Sequence, residues 1–135
     1  MGKREIWIGK KIMYRNLSTF YLEKTREEKM ETLIIHGEEL ASVSNKPFFH
    51  EKYRWYTKLW LYKTDAEKYV VVCENSIDRG EYPDYDDEIE RWYKIFDNEK
   101  DMIYALSSFP VVQNLGRELL KKAGFKPLEQ RSEVE

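Results

Sequence analysis

The residues best suited to chemistry fall in one stretch, Tyr53 to Thr64 (YRWYTKLWLYKT). Read as a β-strand, its side chains alternate between two faces. Arg54, Tyr56, Lys58, Trp60 and Tyr62 then share one face, and Tyr53, Trp55, Thr57, Leu59 and Leu61 share the other. The second set is mostly apolar and reads as core. The first interleaves cations with aromatic rings, a combination that holds single-stranded nucleic acid or a nucleotide by charge and stacking. The same combination also covers a sheet face against helices or a dimer partner, because Lys and Arg stems lie along apolar surface. These five residues form a candidate face for a ligand or a partner.

A second candidate is acidic. Gly80 and Pro83 mark Ser76 to Glu88 as an expected exposed loop. Within it, Tyr82, Asp84, Tyr85, Asp86, Asp87 and Glu88 set two tyrosines among carboxylates. Such a surface suits a protein partner, or the basic half of a second copy in a homodimer. The carboxylates are also potential ligands for a hard cation. However, the segment lacks the glycine at the sixth position and the glutamate at the twelfth that an EF-hand loop needs, so a solvated interaction loop is expected.

Catalytic patterns are missing. Cys73, the only cysteine, ends the apolar run Tyr69-Val70-Val71-Val72; a thiol buried there carries little thiolate. Ser107-Ser108 read as a helix end, with no Gly-x-Ser-x-Gly elbow around them. His36 and His50 are the only histidines, and neither lies in a metal-ligand spacing. No glycine-rich loop cradles a phosphate. No catalytic residue, metal or cofactor is therefore expected, although unrecognised acid–base carboxylates leave a small enzyme as a third reading.

These segments need elements to position them. Glu5 to Tyr14 reads as two short strands with a turn at Gly9-Lys10, followed by strands over Thr19 to Arg26, Met30 to His36 and Glu38 to Ser44. Charged Arg26-Glu27-Glu28-Lys29 reads as a turn between two of them. A helix over Glu27 to Ile35 is the alternative, since Met30, Leu33 and Ile34 also fit helical spacing. Tyr53–Thr64 and Tyr69–Cys73 form the clearest hairpin, joined by Thr64-Asp65-Ala66-Glu67-Lys68. Glu90 to Phe96 alternates as a last strand.

Two helices should follow. Asn98 is placed to cap the first, with Glu99 and Asp101 in its opening turn. Pro110 opens the second, which carries Val111, Val112, Leu115, Leu119 and Leu120 and closes on Lys121-Lys122, with Gly124 at C′. The expected fold is α+β: an antiparallel, curved β-meander of about six or seven strands followed by two C-terminal helices. One domain should span residues 1–127, with 128–135 as a flexible C-terminal tail.

Length and composition agree with a single folded domain. The chain has 135 residues, 36% charged and 15% aromatic. That aromatic content argues against disorder, and one cysteine argues against a disulfide scaffold. No stretch is apolar enough for a membrane helix and no signal-peptide pattern starts the chain, so a cytoplasmic location without membrane contact is expected. The net charge of −2 conceals segregation along the chain. Residues 1–64 hold 13 basic and 8 acidic side chains, whereas residues 65–101 hold 5 basic and 13 acidic.

From His36 to Gly124 the layout resembles the C-terminal part of the EXLDI family of bacterial proteins. The likeness rests on Gly37-Glu38-Glu39-Leu40, on Leu61-Tyr62-Lys63-Thr64, on Ile95-Phe96-Asp97 before a short helix, and on a proline-led final helix. The Glu-x-Leu-Asp-Ile ending has no counterpart in Leu128-Glu129-Gln130-Arg131, and strands replace the family's N-terminal ribbon-helix-helix-like segment. The resemblance therefore transfers no functional residue and no DNA binding. A non-enzymatic binding or interaction domain, regulatory or accessory in role, is the leading expectation. A protein partner or homodimer comes first, and a nucleotide or single-stranded nucleic acid second.

Overall fold

Val, Ile, Tyr and Trp concentrate between Lys3 and Phe96, where their branched and flat side chains fit a pleated surface, and strands form there. The computed structural model describes residues 2–15, 22–45, 48–50, 53–78, 87–108 and 114–129. The strands are β1 (Lys3–Arg15), β2 (Leu22–Ser44), β3 (Phe48–His50), β4 (Tyr53–Thr64), β5 (Tyr69–Asp78) and β6 (Asp87–Phe96). The helices are α1 (Glu99–Ser107) and α2 (Leu115–Lys122). Among the described residues no helix is long and apolar enough to cross a membrane.

Two expected turns are not turns. Gly9 lies inside the continuous β1, at a register shift between Ile8 and Lys10. Its φ of 132° and the φ of 52° at Lys29 across the ladder mark a bulge, which re-aims a strand without ending it. Arg26 to Lys29 likewise stay inside the 23-residue β2. Their charges are accommodated because Lys10 faces Glu28 and Lys11 faces Glu27 across the β1–β2 pair. The same pairing excludes the helical alternative for residues 27–35.

The open six- or seven-strand meander is also corrected. Five strands close into a barrel, in the ring order β2-β1-β6-β5-β4 and back to β2, with short β3 flanking β4. The closing pair is β1–β6, from Gly9 opposite Arg91 to Met13 opposite Asp87. It joins the chain's basic end to its acidic segment: Lys10 sits opposite Glu90 and forms an ion pair with Glu88 at 3.7 Å. Alternation along single strands carries no information about that long-range pairing.

All five pairings of the ring are antiparallel. Five reversals return the strand direction inverted, so five straight strands could not close this way. β2 has the length to serve two neighbours with different stretches. Its first part pairs with β1 and its last part, from Gly37, pairs with β4. At the handover the Gly37 amide donates to the Gly2 carbonyl (3.0 Å) and the Asp65 amide donates to the His36 carbonyl (2.8 Å).

The β4–β5 hairpin follows its sequence reading. The Thr64 amide donates to the Lys68 carbonyl at 2.8 Å, and Glu67 takes the left-handed conformation the tight loop needs. Its two faces have different fates. Leu59, Leu61, Tyr69, Val71 and Cys73 point outward and are sealed by Met102, Leu106, Leu115, Leu119 and Leu120 of the helices. Each fully buried Leu there contributes roughly 1.5–3 kcal/mol. Tyr62, Val70 and Val72 instead meet Ile8 and Ile35 from β1 and β2, strands on the far side of the ring. That face is the barrel interior.

The helix ends are as the sequence implies. The Asn98 side chain accepts from the Asp101 amide at 2.8 Å. Past α2, Gly124 (φ 91°) and Phe125 return their amides to the Lys121 and Leu120 carbonyls at 3.1 and 2.8 Å, a Schellman close. Phe125 then packs edge-on against Tyr69, and the Leu128 amide donates to Ser107 Oγ at 2.9 Å. The expected helix start at Pro110, with Val111 and Val112, lies outside the described residues.

Gly37 offers a direct test of closure. A Cβ there would press on the Lys63 carbonyl oxygen and lie 2.7 Å from Thr64 Cα. Both obstacles are backbone and cannot rotate away. Gly37→Ala should cost about 1–3 kcal/mol and lower the thermal midpoint by several degrees, measured by circular dichroism.

Candidate functional site

Residues directly opposite each other on adjacent strands share a face. Register therefore assembles the barrel interior in rows across β4, β5 and β6. Tyr62, Val70 and Ile95 form one row; Trp60, Val72 and Tyr93 form the next. Lys58, Glu74 and Arg91 form the third, and Tyr56, Ser76 and Ile89 the fourth. An aromatic and apolar end thus grades into a charged row.

Glu74 is the deepest charge in that row, with its side chain only 8% exposed. Arg91 Nε donates to its Oε1 at 2.8 Å, and the Tyr56 hydroxyl lies 3.5 Å from its Oε2. Arg91 faces Gly9 across the closing strand pair. Its guanidinium carbon comes 4.2 Å from the centre of the Trp7 ring and 5.6 Å from that of Trp60. Lys11 Nζ lies 4.3 Å from the Trp7 ring centre, and Lys58 Nζ lies 4.7 Å from that of Trp60. Lys58 and Arg91 thus flank the Glu74 carboxylate, and the two indoles lie against these cations. Cation–π contact of this kind contributes about 0.5–2 kcal/mol and holds the guanidinium plane in place.

A cavity of about 170 Å³ opens beside this cluster, lined by Ile6, Trp60, Tyr62, Val72 and Arg91. It lies where the barrel parts. The β1–β6 pairing stops at Gly9 and Arg91, while β1 runs back to Lys3 and β6 runs on to Phe96. Ile6 belongs to the part of β1 that pairs with β2 but not with β6. Ile95 belongs to an inward row yet is 49% exposed, as expected at an open seam.

Carboxylates and phenols rim the seam. Burial, and then the nearby Glu39 carboxylate, push the Tyr62 phenol up, against the opposing pull of Arg4 and Arg91. The Glu31 charge first, then burial and hydrogen bonding to Glu31, raise the Tyr93 phenol too. Both phenols stay protonated at neutral pH and serve as donors.

Of the sequence candidates, Tyr56, Lys58, Trp60 and Tyr62 come together in the interior rather than on an outer sheet face or beneath the helices. Arg54 pairs with Asp78 through its backbone, and its side chain lies outside the described residues. Tyr82, Asp84, Tyr85 and Asp86 also lie outside them. Asp87 and Glu88 are not in a loop but begin β6, with Asp87 buried. Trp7, Lys11, Glu74 and Arg91 escaped sequence reasoning. The one available signal was Glu74 following Val70 and Val72 at a spacing of two, a carboxylate on an inward row.

Among the described residues, two larger depressions lie elsewhere. One, of about 350 Å³, spans Trp55, Tyr56, Thr57, Asn75, Ser76 and Ile77. The other, of about 440 Å³, lies between α1 and Leu128. Neither gathers paired charges with stacked rings, so chemistry rather than size singles out the seam. Among the described residues no three His, Cys, Asp or Glu side chains come together to hold a metal. Cys73 is buried on the helix side of the sheet, where burial first and the Glu74 charge second push its thiol up to about 12. Comparison with family models, curated proteins and solved structures finds no match.

Two outcomes follow. Arg91→Met and Glu74→Met each leave a charge without its partner and should each cost roughly 2–3 kcal/mol in denaturant unfolding. The double variant should cost less than the two together by about 1 kcal/mol or more; additive losses would mean the pair is uncoupled. Cys73 should resist iodoacetamide at pH 8 in the native protein and react on unfolding. Its pKa is higher in the folded state, so the unfolded chain ionises first as pH rises. Its contribution to stability is complete below about pH 9 and declines as pH approaches 12.

Proposed function

We propose that the protein is a non-enzymatic binding domain that takes a small molecule into its barrel through the seam between β1 and β6. The observation that carries this reading is the cavity where Trp60 and Tyr62, from the aromatic and basic row of β4, meet Arg91. An inward face admits a small ligand and excludes a polynucleotide strand or a folded partner. The lining favours holding over reacting. Arg91 is always charged, the phenols stay protonated, and the one thiol lies on the opposite face of the sheet.

The volume limits the ligand. A dry cavity of about 150 Å³ accommodates benzene, so about 170 Å³ suits a single ring with a small substituent. Aromatic walls offer such a ring edge-on and stacked contacts, each contributing about 0.5–1.5 kcal/mol beyond area burial.

Phenol serves as a probe. In protein labelled with 5-fluorotryptophan, phenol should shift the Trp60 fluorine resonance saturably, with the resonance assigned through Trp60→Phe. Ile6→Phe, which fills the cavity at the seam, should abolish the shift while the protein stays folded. A Trp60 resonance that does not respond, or that responds equally in Ile6→Phe, would refute the reading.

A further inference from the structure

We infer that the ligand of this cavity is a planar aromatic carboxylate, anchored by the terminal nitrogens of Arg91; the inference rests on the binding reading above and specifies its chemical class. Arg91 presents five N–H donors in a fixed fork. Glu74 takes the one on Nε at 2.8 Å. Among the described residues no acceptor meets Nη1 or Nη2, although Arg91 lines the cavity. The fork is held before any ligand arrives, by Glu74 along its edge and by the Trp7 and Trp60 rings at 4.2 and 5.6 Å. A carboxylate matches two parallel N–H donors in its own plane, and this bidentate geometry is the strongest form of the contact.

The local charge points the same way. Around the floor of the site, Lys58 and Arg91 flank the carboxylate of Glu74 from the two neighbouring strands, while Lys11 is matched by Glu27 across the β1–β2 pair. At the exposed rim, Arg4 is offset by Glu31 and Glu39, the charges that act on Tyr62 and Tyr93. The floor is therefore left with an excess of positive charge next to low-dielectric aromatic walls, where an anion gains more than it would in water. A carboxylate on one ring fits about 170 Å³. A tetrahedral phosphate on the same ring needs more room and presents its oxygens out of the ring plane.

The test compares benzoate, its neutral isostere benzamide, and phenyl phosphate by calorimetric titration. Wild type should bind benzoate at least about tenfold more tightly than benzamide, and phenyl phosphate more weakly than benzoate. Arg91→Gln should remove the preference, so that benzoate binds no more tightly than benzamide does to the same variant. Lys58→Met, which leaves the Arg91–Glu74 pair in place, should weaken benzoate severalfold and provides the same readout if Arg91→Gln fails to fold. Equal binding of benzoate and benzamide would overturn the carboxylate assignment and leave the binding reading standing. Tighter binding of phenyl phosphate would overturn it in favour of a phosphate ester. Saturable binding of none of the three, together with no response to phenol, would overturn both.

Discussion

Everything about this barrel follows from closing a ring of five strands that are antiparallel to every neighbour. Straight strands cannot do this, because an odd number of reversals does not return to the starting direction. β2 is long enough to pair with β1 along one stretch and with β4 along another, and it changes partners at His36–Gly37. Gly37 is required there by close approach, since the β4 backbone occupies the space a side chain would take. Closure removes strand edges that would otherwise recruit other chains. It also turns the aromatic and basic face of β4 inward.

Closure is incomplete, and the gap is what gives the interior access to solvent. β1 and β6 are zipped only between Gly9 and Met13, so they part above Arg91. The two bulk-sparing glycines have separate consequences. Gly37 lets the ring shut at one corner, and Gly9 lets β1 press against the β2 backbone at the bulge, where a Cβ would lie 2.6 Å from the Glu28 carbonyl oxygen. Arg91 is thus the last residue of the closing pair, the partner of the buried Glu74, and a wall of the cavity. A residue with these three roles links the stability of the fold to the chemistry of the site.

Local features could be read from the chain because local chemistry fixes them. Asn98 caps α1 with its own side chain, Gly124 closes α2 because only glycine takes that backbone conformation cheaply, and the loop between β4 and β5 has the length a hairpin requires. Alternation sorted Leu59 and Leu61 from Tyr56, Lys58, Trp60 and Tyr62 correctly into two faces. What alternation could not supply was which face looks into a barrel, since that depends on β1 meeting β6 some eighty residues away. Gly9 and the charges of residues 26–29 misled for a related reason. A bulge and a ladder of opposite charges both look like turns when the partner strand is unknown.

The charge segregation of the sequence has a structural counterpart in that same closing pair, where Lys10 on the basic segment meets Glu88 and Glu90 on the acidic one. Opposite poles of the chain supply the two strands that shut the ring. The most direct measurement is a set of proton–proton Overhauser contacts in solution. Closure requires α-proton or amide contacts between Gly9 and Arg91 and between Lys11 and Ile89, together with contacts from the Ile6 side chain to the Trp60 ring. Absence of those contacts, with Trp60 fully exposed to a water-soluble quencher, would contradict the closed barrel and the site built within it.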